Sequence, residues 1–212
     1  MSEPLTIALP KGRVLRAVVP LLARAGADGQ ALLADDRSLV RESAAGTLRF
    51  LLLKPDDVPT YVEYGAADLG VCGKDVLTER ASDVYQPLDL GVGKCRMVVA
   101  GVVGRPPPSG VPRVATKYPR CAADHFARRG IQADVVYVQG SVELAPLTGL
   151  ADLIVDLVET GETLARNGLE EREIVFPVSS VLIANRAAFK LRAERVRTLV
   201  DALRAAVSAA AT

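Results

Sequence analysis

The 212-residue chain has a single histidine, no tryptophan, two methionines and only 4% aromatic residues. One imidazole excludes a His-rich metal centre and leaves little room for histidine-driven acid–base chemistry. Charge of one sign is missing too. The 26 Lys+Arg stand against 25 Asp+Glu, a formal net charge of +1, which excludes a surface built as a whole for nucleic acid or an anionic membrane. A locally basic cleft stays open. No apolar run approaches the ~18 residues that span a bilayer, so no membrane segment is expected. The opening MSEPLTIALPKGR lacks the basic and apolar regions of a secretory signal. Cys72, Cys95 and Cys121 are an odd count without a C-x-x-C pair, which fits reduced thiols and a cytoplasmic setting.

What is present is a 50% hydrophobic composition, enough for one large domain or two small lobes with a core of their own. Short apolar runs alternate with amphipathic stretches, the pattern of an α/β fold. Strands are expected at 5–9, 47–53, 68–72, 96–103, 111–116, 133–138, 151–156 and 178–184. Helices are expected at 14–25, 55–64, from 73 onward, and at 119–129, 141–148, 161–167 and 193–211. The one proline-rich stretch, 104–110, reads as a surface loop. His125, on a helix with Arg128 and Arg129, reads as a solvated surface residue.

One internal echo stands out. Gly65-Ala66-Ala67-Asp68-Leu69-Gly70-Val71 resembles Gly149-Leu150-Ala151-Asp152-Leu153-Ile154-Val155. Each reads as a helix ending at Gly and a strand beginning at Asp-Leu, with a loop at the strand's carboxyl end. Ligands of α/β sheets collect at such ends, and two alike lobes would set these loops across a cleft. A chance likeness of two corners explains the pattern equally well.

The richest of these loops is Asp156-Leu157-Val158-Glu159-Thr160-Gly161-Glu162-Thr163. Backbone amides at a helix start, close approach at Gly161 and the hydroxyls of Thr160 and Thr163 can surround a phosphate. Asp156 would accept from a sugar hydroxyl or hold Mg²⁺. The segment resembles the loop with which phosphoribosyltransferases grip 5-phosphoribosyl pyrophosphate (PRPP), although Val155 stands where the common form has a second acid. An ordinary helix start capped by Thr160 remains the competing reading. Lys11-Gly12-Arg13 places two cations around a glycine turn before a helix, against the macrodipole and so suited to an anion. Gly73-Lys74-Asp75 holds the same position after its strand. Ser141 can cap a helix and Glu143 sits in its first turn, which is a sufficient structural account of both. The cations of Lys94-Cys95-Arg96 could activate the thiol between them, although strand-flanking charges are commonplace and that plainer reading is favoured.

Taken together, ALPKGR at 8–13, DVPTYVEYGAADLGVCGKDVL at 57–77, GKCRMVVAG at 93–101, ATKYPR at 115–120 and GSVELAPLTGLADLIVDLVETGETLARNGL at 140–169 resemble the ATP phosphoribosyltransferase family. The resemblance covers nearly the whole chain. It implies an α/β fold of two lobes like the type II periplasmic binding proteins, with an active-site cleft between them. Lobe I would comprise 1–92 and 178–212, containing both termini, and lobe II 93–177, with crossings near Leu90–Gly93 and Pro177.

The implied reaction joins N1 of the adenine of ATP to C1 of the ribose of PRPP and releases pyrophosphate, the first step of histidine biosynthesis. By resemblance, Asp156, Glu159, Thr160, Gly161, Glu162 and Thr163 would bind PRPP, and Glu143 would join Asp156 around Mg²⁺ or the ribose. Lys11, Gly12, Arg13, Lys74 and Asp75 would face ATP or pyrophosphate. Arg13, Arg37, Glu143 and Asp156 are the implied catalytic set, with Arg37 carried over from a variable segment.

Long members of this family carry a C-terminal histidine-binding domain. This chain matches the short form, which implies a separate regulatory subunit resembling histidyl-tRNA synthetase and a homodimer within a hetero-oligomer. Two alternatives stay open on the residues alone: a non-catalytic solute-binding module of the same fold, and a phosphoribosyltransferase acting on another base.

Overall fold

A computed structural model describes residues 3–27, 32 and 37–210. The chain divides into two compact units: one runs to Gly93 and resumes at Ser179, and the other spans Lys94–Val178. The α/β class expected from the sequence is observed.

The first unit contains β1 (Leu5–Pro10), α1 (Arg13–Arg24), β2 (Val40–Glu42) and β3 (Leu48–Leu53), then a 3-10 turn at Pro55–Asp57 leading into α2 (Val58–Glu63). β4 (Leu69–Gly73), α3 (Lys74–Arg80) and β5 (Tyr85–Asp89) follow. The second unit holds β6 (Cys95–Val102), β7 (Arg113–Thr116), α4 (Pro119–Arg128), β8 (Asp134–Tyr137), α5 (Leu144–Thr148), β9 (Leu153–Val158), α6 (Glu162–Arg166) and β10 (Leu169–Val178). The chain then returns to the first unit as β11 (Ser180–Ala184), α7 (Arg186–Leu191) and α8 (Ala193–Ala210).

One sheet has the order β2-β3-β1-β4-β11-β5 and the other β10-β6-β9-β7-β8. In each, parallel strands carrying the helices are flanked by antiparallel ones. Fully enclosed Ile7, Leu9, Phe50 and Leu69 knit the first core. Met97, Val98 and Ile154 do the same in the second. α1 is amphipathic because Leu15, Val18, Val19 and Leu22 recur at helical spacing and bury while Arg16 and Pro20 stay out. The apolar face of α8 (Val196, Leu199, Val200, Leu203) belongs to the first core as well.

Several expectations need correction. The apolar run 178–184 is not one strand. It breaks at Ser179, because Val178 ends a strand paired with Cys95 while Ser180 begins one paired with Gly73 in the other sheet. β9 runs on past Asp156 to Val158, since β6 keeps it paired as far as Arg96. The helix expected from 141 starts at Leu144, and Ser141, at φ 50°, does not cap it. β2, β5, β10 and α7 were not read from the sequence at all. Residue 211, expected to end the last helix, lies outside the described residues.

Candidate active site

In the second unit, three side chains gather at the carboxyl ends of parallel strands. Asp156 lies one residue beyond the last β7–β9 partner pair, Thr116 and Val155. The buried Thr116 hydroxyl donates to Val155 O at 2.6 Å and accepts from Tyr118 N at 2.8 Å, which fixes the path of the chain through Lys117. Burial first, then the negative charge of Glu143, pushes the Asp156 carboxyl above its ordinary range; the Leu157 N–H, 2.8 Å from Oδ1, and the charge of Lys117 work against that. Glu143 occupies the N-cap position of α5, half-buried. Lys117 was not singled out from the sequence, although its place directly after a strand, like that of Lys11, was the available signal.

The turn after β9 is exposed from Glu159 to Thr163 apart from half-buried Gly161. Gly161 stands at the N-cap of α6 with φ 86°, a left-handed conformation that a side chain would strain. Among the described residues, the amides of Thr160, Gly161 and Thr163 donate to no acceptor, so they are available to an anion. Thr160 Oγ1 receives Glu162 N at a long 3.4 Å, which makes capping a minor role for that hydroxyl. Glu162 is drawn along the helix by Arg166, 2.5 Å away.

Arg96 supports this turn. Its Nε donates to Glu171 Oε2 at 2.8 Å, its Nη2 to Glu171 Oε1, and its Nη1 to Glu159 O at 3.1 Å. A planar fork on one carboxylate with a spare N–H on the turn is a rigid arrangement. The sequence reading of Arg96 as an ordinary flanking charge missed it, because its partner Glu171 lies 75 residues away.

In the first unit, Lys11, Gly12 and Arg13 are exposed at the end of β1. Gly12 has φ 89° and open space where a side chain would begin. Lys74 opens α3, and its ammonium lies 2.6 Å from Asp89 Oδ2. Burial works upward on Asp89, yet hydrogen bonds from Lys74, Gly91 N and Ser179, with the charge of Lys74, bring its carboxyl below the ordinary range. Asp75 is enclosed, and its Oδ1 fills the space a Cβ on Gly73 would need. Arg37 is exposed just ahead of β2 and, among the described residues, bonds to none of the other candidates. His125 is not the solvated residue expected. Its side chain is 11% exposed, with Nε2 3.5 Å from Glu173. Burial and the charges of Arg129 and Arg128 push its pKa down.

A strand-end carboxylate followed by a glycine turn with free amides and two hydroxyls, set beside a second carboxylate and a lysine, suits an α/β transferase that handles a phosphorylated sugar. Comparisons with known proteins agree. Residues 54–205 match the family HisG: ATP phosphoribosyltransferase. An ATP phosphoribosyltransferase of Sorangium cellulosum is 60% identical over 210 residues, covering 99% of each chain. One from Halorhodospira halophila is 50% identical over 214 residues, 99% of this chain and 98% of that one. Among solved structures, the ATP phosphoribosyl transferase (HisG:HisZ) complex from Thermotoga maritima aligns with TM-score 0.84 and 35% identity, covering 96% of this chain and 98% of that chain. The chain belongs to the ATP phosphoribosyltransferase family, enzymes of the first step of histidine biosynthesis.

Proposed function

We propose that this chain transfers the 5-phosphoribosyl group of PRPP to N1 of the adenine of ATP. The bond from C1 of the ribose to the pyrophosphate oxygen breaks, the bond to N1 forms, and pyrophosphate departs. The observation that carries the assignment of roles is the β9 turn, where Asp156 precedes free amides at Thr160, Gly161 and Thr163.

In this reading those amides and the two hydroxyls hold the 5-phosphate, and Asp156 accepts from the ribose hydroxyls. Glu159 and Glu162 flank the same turn. Lys117 places positive charge beside Asp156. Lys11, the Gly12 amide, Arg13 and Lys74 face the phosphates of ATP and the departing pyrophosphate, with Asp75 fixing the strand end beneath Lys74. Arg37 joins the catalytic set on resemblance alone. Charge stabilisation and positioning of this kind supply most of the rate where no nucleophile is needed. A chain with one histidine, its side chain 11% exposed beneath Glu173, is consistent with such a mechanism.

Mg²⁺ belongs to the proposal. The donors suit it: Asp156 and Glu143 are hard oxygen ligands whose mutual repulsion a divalent cation relieves. Among the described residues no cluster of three or more His, Cys, Asp or Glu forms a metal site, so substrate phosphates and water would complete the coordination. Bound there, the ion would neutralise charge on pyrophosphate.

The Thermotoga maritima protein is described as a complex with HisZ. We extend that to a regulatory subunit resembling histidyl-tRNA synthetase for this chain, with the catalytic chain as a homodimer in the hetero-oligomer. Histidine sensitivity would then reside in the partner. Among the described residues no helix is long and apolar enough to cross a membrane, and a cytoplasmic location follows from the biosynthetic role.

The test is to mix the purified chain with ATP, PRPP and Mg²⁺ and follow phosphoribosyl-ATP by absorbance, with EDTA as the metal control. Product forms without the partner and is not inhibited by histidine. Absence of product with and without the partner refutes the reading.

A further inference from the structure

The proline-rich loop 104–110, unused in the function above, walls a cavity in the second unit of about 340 Å³. Val99, Leu153, Phe126, Ile131 and Pro107 give it an apolar lining.

Its location makes sense once the units are compared. In the first unit α8 lies on α1 and reaches β5, burying Val196, Leu199, Val200 and Leu203. The counterparts of α1 and β5 by strand order are α4 and β10. The cavity lies between those two elements, where the described residues of the second unit supply no helix. A hollow of this size is at the small end of ligand sites, and a partner helix, about 10 Å across, is too bulky for it.

The rim is built rather than loose. Arg172 donates to Val102 O at 2.8 Å and Arg105 O at 2.6 Å, and pairs with Glu170 at 3.1 Å. Arg105 N donates to Val102 O at 3.1 Å, closing the turn. Arg129 pairs with Glu173, and Asp152 accepts from Arg113 N at 2.8 Å. Among the charged groups of the lining, the Arg105 guanidinium is the one left without a partner among the described residues.

We propose that this cavity binds a small apolar monocarboxylate of single-ring size, its ring against Phe126 and Leu153 and its carboxylate on Arg105. A guanidinium fork matches a planar carboxylate, and Arg105 stands exposed at the rim, within reach of a ligand whose ring enters the apolar hollow. The site is separate from the candidate phosphate loop. Leu153 at the cavity and the turn after Val158 stand at opposite ends of β9, whose 6 residues span roughly 20 Å.

The full chain is titrated calorimetrically with 3-phenylpropionate and with 3-phenylpropanol. The acid is expected to bind at least tenfold tighter than the alcohol. Arg105→Ala weakens the acid tenfold or more, and Ile131→Trp, filling the hollow from its exposed rim, abolishes binding while circular dichroism stays native. Equal affinity for acid and alcohol, unchanged binding by either variant, or displacement of the acid by ATP or PRPP overturns the proposal.

Discussion

The two units are the same scaffold used differently. Read outward, β3-β1-β4-β11-β5 and β8-β7-β9-β6-β10 have matching order and matching parallel and antiparallel senses. The corners agree in detail. Gly65 and Gly149 both have φ 76°. Asp68 N donates to Thr6 O while its carboxylate accepts from Thr6 N, and Asp152 does the same with Arg113. The echo in the sequence was therefore a repeat of structure, not chance. With Asp68 matched to Asp152, Cys72 falls opposite Asp156. The first is fully enclosed, and burial with the charge of Asp75 pushes its thiol up to about 12. The second is a partly open carboxylate. One strand position is therefore enclosed core in one unit and, in the other, the partly open carboxylate to which the proposed chemistry is assigned.

Exchanging that chemistry should have the largest effects. Asp156→Asn is expected to lower kcat/KM for PRPP by about 10²–10³-fold, the range for losing a charged group that acts on the reacting centre. It should also raise Tm. A carboxyl raised in the folded state contributes stability that is fully present below its unfolded value and lost as pH rises through the folded value, so at neutral pH the ionised Asp156 is a burden. Relieving it shifts Tm upward by roughly 2–4 °C per kcal/mol; a drop in Tm with activity retained would assign Asp156 to structure. The reciprocal swap, Cys72→Asp, puts a carboxylate where nothing reaches solvent and Asp75 is near. A cost of about 3 kcal/mol or more is expected, read as loss of soluble yield or a Tm lowered by roughly 6–12 °C.

The two units also differ in how they hold the turn after β4 or β9. Strand register matches Arg96 with Ser179. Both reach a carboxylate on the neighbouring edge strand: Glu171 for Arg96, and Asp89 for Ser179 at 2.8–2.9 Å. Only Arg96 also grips the turn itself, through Glu159 O. Arg96→Ala should therefore raise KM for PRPP about tenfold with a smaller change in kcat, because a loosened turn costs ordering on binding. Arg96→Lys, which lacks the fork, recovers part of it. Ser179→Ala should leave both constants within about twofold. A uniform fall in kcat alone for Arg96→Ala would remove the turn from PRPP binding.

Much of this was legible in the sequence, and what was not has a common cause. Interior strands such as 5–10 and 69–73 announce themselves because both faces bury and the run is apolar. The three unread strands all lie at sheet edges. β10 opens Leu169-Glu170-Glu171-Arg172-Glu173, too charged to read as a strand, and tolerates Pro177 because an edge has backbone donors to spare. β5 contains Pro87, and β2 has three residues. For the site, strand-end loops were visible from local pattern. Support from a distance was not: Arg96 depends on Glu171, and Lys117 on where β7 meets β9. α7 was missed although its signal was present, since Asn185 caps it by accepting from Ala187 N and Ala188 N at 3.0 Å.

The smallest effect expected distinguishes the two edge carboxylates by their response to salt. Asp89 has a lowered pKa, so its contribution is present above its ordinary carboxylate value and is lost as pH falls through the lowered one. Its side chain is 45% exposed, so solvent screening holds that contribution below about 1 kcal/mol. In Asp89→Asn, Tm should fall slightly at pH 7, and the gap to the parent should close as pH drops below the ordinary carboxylate range. Raising salt should narrow the same gap, since the Lys74 pair faces water. Glu171, packed under the two N–H bonds of Arg96 and 27% exposed, should resist salt better. Equal salt sensitivity of Asp89→Asn and Glu171→Gln would mean that the second unit's turn is held no more firmly than the first's.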